Sequence, residues 1–417
     1  MIYSIHKSLN NLPTIIISLY AVFIFYMPTI RLGNIPIRLE DFLLLLIGAL
    51  FFIKKKSFFT RYKVPLYPSL FLLLFFWILY FSLISSNFID SLNFKTVIIS
   101  FNYLKYVLLF FTVYFLARKV NIKFITKVLV FIFITQLLIL IFQKFDMFGF
   151  GSGFFYNFIV NNYSVPNVYS TSANDLEQLK STHMNFSFRP VGTIGSATRV
   201  GMIMYILSFI LYLNVKKPIF RLLGWVSLLM AFSKIAILFA LIFEFIIMPF
   251  LHGKRIIFLK SILILLFILP IGFYLIEVLG LLNNLNSTLS GDNRGITHRI
   301  IVFSHLINQD IFNMFFGNYG KLPFDYFDSG IMLNIYRYGL IFYILQYILF
   351  YLLLVNATSN KINRIFILSA MLFADFTFGS ILYPQFANLI ILSVALIIAF
   401  DKEYSNTKEK NKDDKKK

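Results

Sequence analysis

The sequence predicts an all-α, polytopic integral membrane protein of about twelve transmembrane helices with two large loops on one face. Three observations predict this fold. Hydrophobic residues make up 59% of the 417 residues and charged residues 13%, against about 45–50% and about 25% in soluble domains. Apolar runs recur near the roughly 20 residues that span a bilayer. The basic residues between these runs gather on one side of the predicted membrane.

The composition excludes several classes of protein. A soluble enzyme could not bury this much apolar surface, and a disordered chain would lack it. Cysteine is absent, so there is no disulfide framework. The apolar runs are continuous rather than alternating, which argues against an outer-membrane barrel. The net charge of +20 records membrane orientation here, so we expect no nucleic-acid partner.

The apolar runs, taken in order, define the predicted spans. They cover residues 12–28, 39–53, 68–86, 97–117, 128–143, 200–215, 220–233, 235–251, 261–279, 331–355, 365–379 and 385–400. Only Lys7 precedes the first run closely, and no small-residue cleavage site follows it. We therefore expect a retained anchor there and not a removed signal peptide.

The region 220–251 is either one long helix or two short ones, and charge decides between them. With two helices, every basic loop falls on the same side, including the lysine-rich tail at 401–417. The positive-inside rule therefore favours two helices and places both termini in the cytoplasm. Residues 1–400 then form a single transmembrane domain with long outer loops at about 144–199 and 280–330, followed by a charged cytoplasmic tail.

Two charged residues of opposite sign lie near the middle of predicted spans. Lys105 lies in 97–117 and Glu244 lies in 235–251. A charge at the bilayer centre costs about 2.5–3.5 kcal/mol on insertion scales, so each needs a partner or a polar cavity. Their depth and opposite sign predict a Lys105–Glu244 pair.

The first outer loop ends in small residues between two arginines. Arg189 and Arg199 flank the stretch, which runs into a predicted helix at residue 200. Small residues let backbone amides approach an anion, and a helix start adds partial positive charge. Arginine forks match phosphate oxygens. The stretch predicts either a diphosphate cradle or a glycine-rich turn whose arginines face lipid headgroups. Lys234, at the tip of the hairpin between 220–233 and 235–251, is a snorkelling lysine or a third phosphate contact.

The second outer loop contains an amphipathic pattern over 298–312, which predicts a helix near the membrane interface. Arg294, His298 and Arg299 cluster at its beginning, so a basic edge could face a bound anion. His298 and His305 are candidate bases, or surface residues at headgroup level.

Asp328 lies where the second loop re-enters the membrane. Together with Ser329 it is either a helix N-cap or, for Asp328, a general base that takes a proton from a sugar hydroxyl. The acidic residues form no metal-ligand spacing and no DxD pair. We therefore expect no metal, no cofactor and no nucleotide sugar.

A set of short motifs occurs in a characteristic order along the chain. They are Arg38-Leu39-Glu40-Asp41, then Arg189, Gly192, Ser196 and Arg199, then Ser233-Lys234, then Arg299, Gly317, Gly320, Asp328-Ser329 and Gly339. With the topology, this order resembles the O-antigen polymerase and ligase family of bacterial envelope proteins. Ser233-Lys234 departs from the Ser-Arg usual there, which keeps the charge but loses the fork.

The resemblance implies one of two activities. Ligases are similar to one another in a functional histidine late in the second loop, whereas this chain has Asp328-Ser329 there and no histidine after His305. The chain therefore looks more like a polymerase, with a ligase that transfers polymer to lipid A core as the alternative.

The reaction implied by the resemblance is glycosyl transfer on the periplasmic face of the bacterial inner membrane. Undecaprenyl-diphosphate-linked oligosaccharides would be both donor and acceptor. Arg189, Arg199 and Arg299, with Arg294 and Lys234, would hold the diphosphate. Asp328, His298 or His305 would be the base. The bilayer, a chain-length regulator and a flippase of the same pathway are the other partners expected.

Two rivals come from other classes of protein. A flippase of lipid-linked sugars would need charged residues along a central path and short loops on both faces, whereas this chain has few charges in its spans. A structural partner of an assembly complex would not need basic residues gathered in both loops.

Overall fold

The computed structural model describes residues 2–27, 29–32, 35–40, 42, 72–81, 103–106, 113, 116, 120–151, 154–155, 158, 190, 192–194, 196–231, 233–251, 294–318, 329–379 and 384–413. This part of the chain is mostly helical, which confirms the predicted helical class. The predicted span 261–279 lies outside the described residues, as does 39–53 except at 39, 40 and 42. The span 97–117 is described only at 103–106, 113 and 116.

The helices follow one another with short connections wherever consecutive residues are described. They are α1 (Ile2–Tyr26), α2 (Leu72–Phe81), α3 (Ile122–Lys144), α4 (Ala197–Val215), α5 (Ile219–Ala231), α6 (Lys234–Leu241, continuing as a π-helical segment Ile242–Ile247 and as Met248–Leu251), α7 (Arg294–Ile307), α8 (Ile311–Phe316), α9 (Gly330–Tyr338), α10 (Leu340–Ala357), α11 (Lys361–Asp375) and α12 (Pro384–Asp413). A single turn of 3-10 helix, Met147–Gly149, follows α3.

Three of the described helices are long and apolar enough to cross a membrane: Ile122–Lys144, Thr198–Val215 and Leu340–Ala357. Shorter apolar stretches occur at Leu12–Tyr26, Leu72–Phe81, Ile219–Ala231, Ile235–Leu251 and Gln385–Phe400. Length and composition of these helices therefore suggest a membrane protein.

The core lies around α4 and α12, whose residues are buried on nearly every side over 199–211 and 385–399. A helix that is apolar all round is suited to the centre of a bundle. α4 packs against α3, α5, α6, α11 and α12, and α12 also packs against α1 and α10. Aromatic rings join α4 to α11: the Phe209 and Phe366 rings stack with centroids 4.0 Å apart. Such ring pairs add to the free energy gained by burying their area.

A short β-hairpin follows α1 and was not predicted. Its strands, β1 (Thr29–Leu32) and β2 (Ile35–Arg38), pair antiparallel with Thr29 opposite Arg38. The Arg38 guanidinium donates to the Ile24 carbonyl at 3.0 Å and to the Met27 carbonyl at 3.2 Å, and it pairs with Glu40. Arg38 therefore satisfies carbonyls that the end of α1 leaves without helical partners.

The region 219–251 contains two helices, α5 and α6, as predicted. The partner predicted for Glu244 was wrong. Glu244 lies in the π-helical segment of α6 and pairs with Arg221 of α5, and it accepts a hydrogen bond from the Tyr205 hydroxyl at 2.8 Å. Lys105 instead lies over the Tyr106 ring, 4.7 Å from its centroid. Sequence reasoning did not consider Arg221, the second residue of the predicted span 220–233, as a partner for Glu244.

The predicted span 331–355 is also two helices, α9 and α10, which meet at Gly339. Gly339 has a φ of +87°, a backbone conformation that a helix interior cannot contain and that glycine adopts at little cost. The bend is thus encoded by one glycine in an otherwise continuous apolar run.

Candidate functional site

The end of the first loop is fixed by two glutamines of α3. Gln136 and Gln143 are seven residues apart, two helical turns, so they lie on the same face of α3. Gln143 binds Gly192 twice: the Gly192 N–H donates to its Oε1 at 2.8 Å, and its Nε2 donates to the Gly192 carbonyl at 3.3 Å. Gln136 donates to the Thr193 hydroxyl at 2.6 Å. We call these four residues the glutamine clasp.

The clasp corrects part of the predicted diphosphate cradle. We expected the small residues of this stretch to offer backbone amides to an anion. Instead, the Gly192 and Thr193 amides donate to glutamine oxygens, at 2.8 and 3.4 Å. Gly192 is required because its φ is +58° and an added Cβ would lie 2.8 Å from Val200. These two amides are therefore engaged by α3 and are not offered to an anion.

The helix start that follows is the first turn of α4, which carries Arg199. Ser196 occupies the N-cap position with extended backbone, and its side chain makes no capping hydrogen bond. Arg199 is buried, with 7% of its surface exposed. A helix N-terminus and an arginine are both favourable to a negative charge. Arg189 lies outside the described residues.

The tip of the α5–α6 hairpin contacts this same turn. The Ser233 hydroxyl donates to the Thr198 carbonyl at 3.2 Å. Gly201 permits the approach, since an added Cβ would lie 2.8 Å from the Ser233 Cβ. Lys234, the first residue of α6, follows Ser233 directly, and Arg199 follows Thr198. The backbones of these two cationic residues are therefore close in space. The Lys234 side chain lies outside the described residues.

The second loop contains the predicted helix, as α7 followed by the short α8. Val302 and Leu306 of α7 are buried against Leu333 and Tyr336 of α9. Arg294, His298 and Arg299 occupy the first two turns of α7, and their side chains lie outside the described residues. The prediction of a helix in this part of the second loop is confirmed, whereas its position at the membrane interface stays a prediction. The helix ends at Ile307, earlier than predicted. His305 is exposed, and its ring centroid lies 6.1 Å from that of Tyr336.

Glycines fix the second loop to the helix that follows it. An added Cβ on Gly339 would lie 2.1 Å from the Phe315 carbonyl oxygen, and one on Gly317 would lie 2.4 Å from the Arg337 carbonyl oxygen. The Gly317 φ is +95°. At the other end of α9, an added Cβ on Gly330 would lie 2.2 Å from the Gly379 backbone. We call Gly317, Gly330 and Gly339 the glycine lock.

Ser329 caps α9: its hydroxyl oxygen accepts a hydrogen bond from the Met332 N–H at 3.4 Å. The N-cap interpretation of Asp328-Ser329 is thereby confirmed for Ser329. Asp328 lies outside the described residues, so its role as a base stays a prediction.

The structure adds a buried carboxylate that sequence reasoning missed. Asp375, the last residue of α11, is fully buried and accepts hydrogen bonds from the Tyr343 and Tyr347 hydroxyls at 3.3 and 2.7 Å. Buried carboxylates require such donors. The available signal was two tyrosines four residues apart in one predicted span and an aspartate within another, 365–379. The Asp375 carbonyl lies beside Gly330 of the glycine lock.

These elements meet at one end of the bundle, which we call the loop end. α4 and α6 begin there, joined by Ser233 and Thr198. α11 ends there and packs against both α6 and α9. The Phe239 and Phe373 rings join α6 to α11 with centroids 5.3 Å apart. At the loop end, α11 therefore contacts both α6, whose start is joined to α4, and α9, which follows the second loop.

Comparison with known proteins adds no assignment. No family model matches the chain, and no significant match was found among curated proteins or among solved structures. The class defined by fold and site is thus a helical, membrane-type protein whose basic helix starts share one end of the bundle.

Proposed function

We propose that the chain is a surface-polysaccharide polymerase of the bacterial inner membrane. It joins undecaprenyl-diphosphate-linked oligosaccharide repeat units on the periplasmic face and releases undecaprenyl diphosphate. The proposal includes about twelve spans with both termini in the cytoplasm, since this arrangement keeps the basic loops inside. The loop end is then periplasmic.

The contact between the α5–α6 hairpin tip and the first turn of α4 carries the proposal. Ser233 hydrogen-bonds to Thr198, the neighbour of Arg199, and Lys234 follows Ser233 at a second helix start. Two cationic residues at two helix N-termini make a site suited to an anionic leaving group. The predicted cations of the second loop lie at a third helix start, in α7.

The chemistry is a displacement at an anomeric carbon. The terminal sugar hydroxyl of the acceptor attacks the anomeric carbon that joins the growing chain to its carrier. The bond from that carbon to the diphosphate oxygen breaks, and the diphosphate leaves with the electron pair. The hydroxyl proton passes to a base of the second loop, for which Asp328, His298 and His305 remain the candidates. Arg199, Arg299, Arg189, Arg294 and Lys234 stabilise the departing charge, where fixed cations contribute most.

The test is a complementation experiment in the organism that carries the chain. Deletion should leave lipid A core with a single repeat unit, seen as loss of the polysaccharide ladder on a gel. Restoring the chain with Arg199→Ala should lower polymerisation by about 100-fold or more, as expected for loss of a charge-stabilising donor. Arg199→Lys should recover part of the activity, because it keeps the charge but loses the fork.

Lys217→Ala is the matched control. Lys217 is an exposed cation in the connection between α4 and α5, at the other end of α4 from Arg199. It should leave the ladder intact. Bare core with long polymer on its carrier would identify a ligase, and single repeat units trapped on the cytoplasmic face would identify a flippase. Either result would refute the polymerase.

A further inference from the structure

A group of phenylalanine rings gathers just beyond the end of α3. The rings contact one another in series: Phe142 meets Phe148 and Phe150 at centroid distances of 5.8 and 5.7 Å, and Phe150 stacks on Phe155 at 4.7 Å. Phe154 adds contacts to Phe155 and Phe158 at 6.0 and 6.2 Å. We call these six residues the aromatic platform. Phe148 and Phe154 are 79% and 77% exposed.

The platform is folded against α3. The backbone turns back after Lys144 through left-handed residues, Asp146 at φ +48° and Phe148 at φ +57°. The Gly151 N–H donates to the Asp146 carboxylate at 2.8 Å, and Gly151 lies against the Gln143 carbonyl. A left-handed phenylalanine costs about 1–2 kcal/mol, so the surrounding contacts must maintain this geometry.

The platform continues an exposed apolar stripe of α3. Phe131, Ile134, Leu138 and Phe145 are all exposed, and their spacing places them on one face of the helix. α3 is one of the helices long and apolar enough to cross a membrane, so this stripe is suited to lipid. The aromatic platform is an apolar surface continuous with this stripe, so it too is suited to contact with lipid. Each phenylalanine transferred from water gains about 1.5–3 kcal/mol.

We propose that the aromatic platform lies in the lipid of the leaflet at the C-terminal end of α3. It sits about 5–10 Å into the boundary between headgroups and acyl chains, the depth typical of interfacial apolar faces. The first outer loop, predicted from about residue 144, therefore begins within the membrane. This inference is independent of the proposed enzymatic function.

The platform has a consequence for the candidate site. Gln143, one residue after Phe142, holds Gly192 in the glutamine clasp. The depth of the platform thus sets the depth of the turn that leads to Arg199. A helix start held at headgroup level is suited to phosphate groups at the same level.

The absence of cysteine from the chain makes a site-directed spin-label test direct, because no native thiol competes. Phe148→Cys and Phe154→Cys are labelled separately, and the protein is reconstituted in phosphatidylcholine vesicles that contain no polyprenyl lipid. The measurement compares nitroxide collisions with oxygen, which concentrates in hydrocarbon, and with a water-soluble nickel chelate. Leu138→Cys on the exposed stripe of α3 and Lys217→Cys on an exposed connection provide the lipid and water references.

Both platform labels should give an oxygen-to-nickel collision ratio close to that of Leu138→Cys and many times that of Lys217→Cys. A ratio equal to that of Lys217→Cys would overturn the proposal. A ratio that rises to the lipid value only after undecaprenyl diphosphate is added would also overturn it, because the platform would then hold a carrier tail. Phe154→Cys keeps the test decisive if Phe148→Cys, at its left-handed position, fails to fold.

Discussion

The glutamine clasp and the glycine lock both attach an outer loop to the loop end, but by opposite means. In the clasp, side-chain amides of α3 bind the backbone at Gly192. In the lock, two backbones touch because side chains are missing, as where Gly339 meets Phe315. The clasp depends on atoms that the side chains supply, and the lock on space that they leave empty. The lock should therefore reject any added carbon, whereas changes at the two glutamines of the clasp should matter only through the hydrogen bonds that are lost.

The largest expected effect is at the lock. Gly339→Ala places a carbon 2.1 Å from the Phe315 carbonyl oxygen at a φ of +87°. Backbone strain and overpacking together should lower the free energy of unfolding by about 4 kcal/mol. Thermal unfolding of the purified protein in detergent measures this loss.

Gly149→Ala is the matched control. Gly149 also has a positive φ, +72°, but nothing lies within 4 Å of an added Cβ. This variant should lose only about 1 kcal/mol, the cost of the left-handed backbone. Equal melting temperatures for the two alanine variants would show that the lock is not steric.

The second largest effect is expected at the ion pair between Arg221 of α5 and Glu244 of α6. Arg221→Met leaves Glu244 buried with Tyr205 as its remaining hydrogen-bond partner. The free energy of unfolding should fall by about 3 kcal/mol, because an uncompensated buried charge is left in the bundle. Expression level and melting temperature in detergent measure it.

Restoring charge balance should reverse that loss. Arg221→Met with Glu244→Met should be more stable than Arg221→Met alone, since apolar replacement of both partners is often neutral. A double variant as unstable as the single one would show that the pair contributes through geometry and not through charge.

Breaking the clasp should have a smaller effect. Gln143→Met removes both hydrogen bonds to Gly192 while keeping a side chain of similar length. Leaving buried backbone groups unsatisfied should cost about 2 kcal/mol. Melting temperature reports the loss, and the rate of maleimide labelling at Ser196→Cys reports release of the turn.

Gln136→Met provides the comparison within the clasp, because Gln136 holds the neighbouring Thr193. Since both glutamines fix the same turn, their effects should be less than additive in the double variant. Additive losses with unchanged labelling at Ser196→Cys would mean that the turn is fixed by other contacts.

The helical class, the division of 219–251 and the helix within the second loop were predictable because each follows from periodicity or charge. Gly317 and Gly339 were visible as motif positions, but their physical role needed the position of Phe315 in space. Gln136 and Gln143 gave only a weak signal, two amides in an apolar helix. The Glu244 partner was mispredicted because the depth and the sign of a charge do not identify which helices are neighbours.

The smallest expected effect distinguishes two serines at helix N-cap positions. Ser329 precedes α9, in the region of the glycine lock, and Ser233 precedes α6, beside the turn that follows the glutamine clasp. Ser329 accepts a hydrogen bond from its own helix, whereas Ser233 donates one to Thr198 of another helix. Ser329→Ala should cost about 1 kcal/mol, as for loss of an N-cap, and Ser329→Asp should recover it because aspartate is an equally good acceptor. Ser233→Asp should instead be less stable than Ser233→Ala, because a carboxylate oxygen would face the Thr198 carbonyl. Melting temperatures of the four variants measure these differences. If aspartate restored stability at both positions, Ser233 would act as a helix cap and not as the link between α6 and the turn of α4 that carries Arg199.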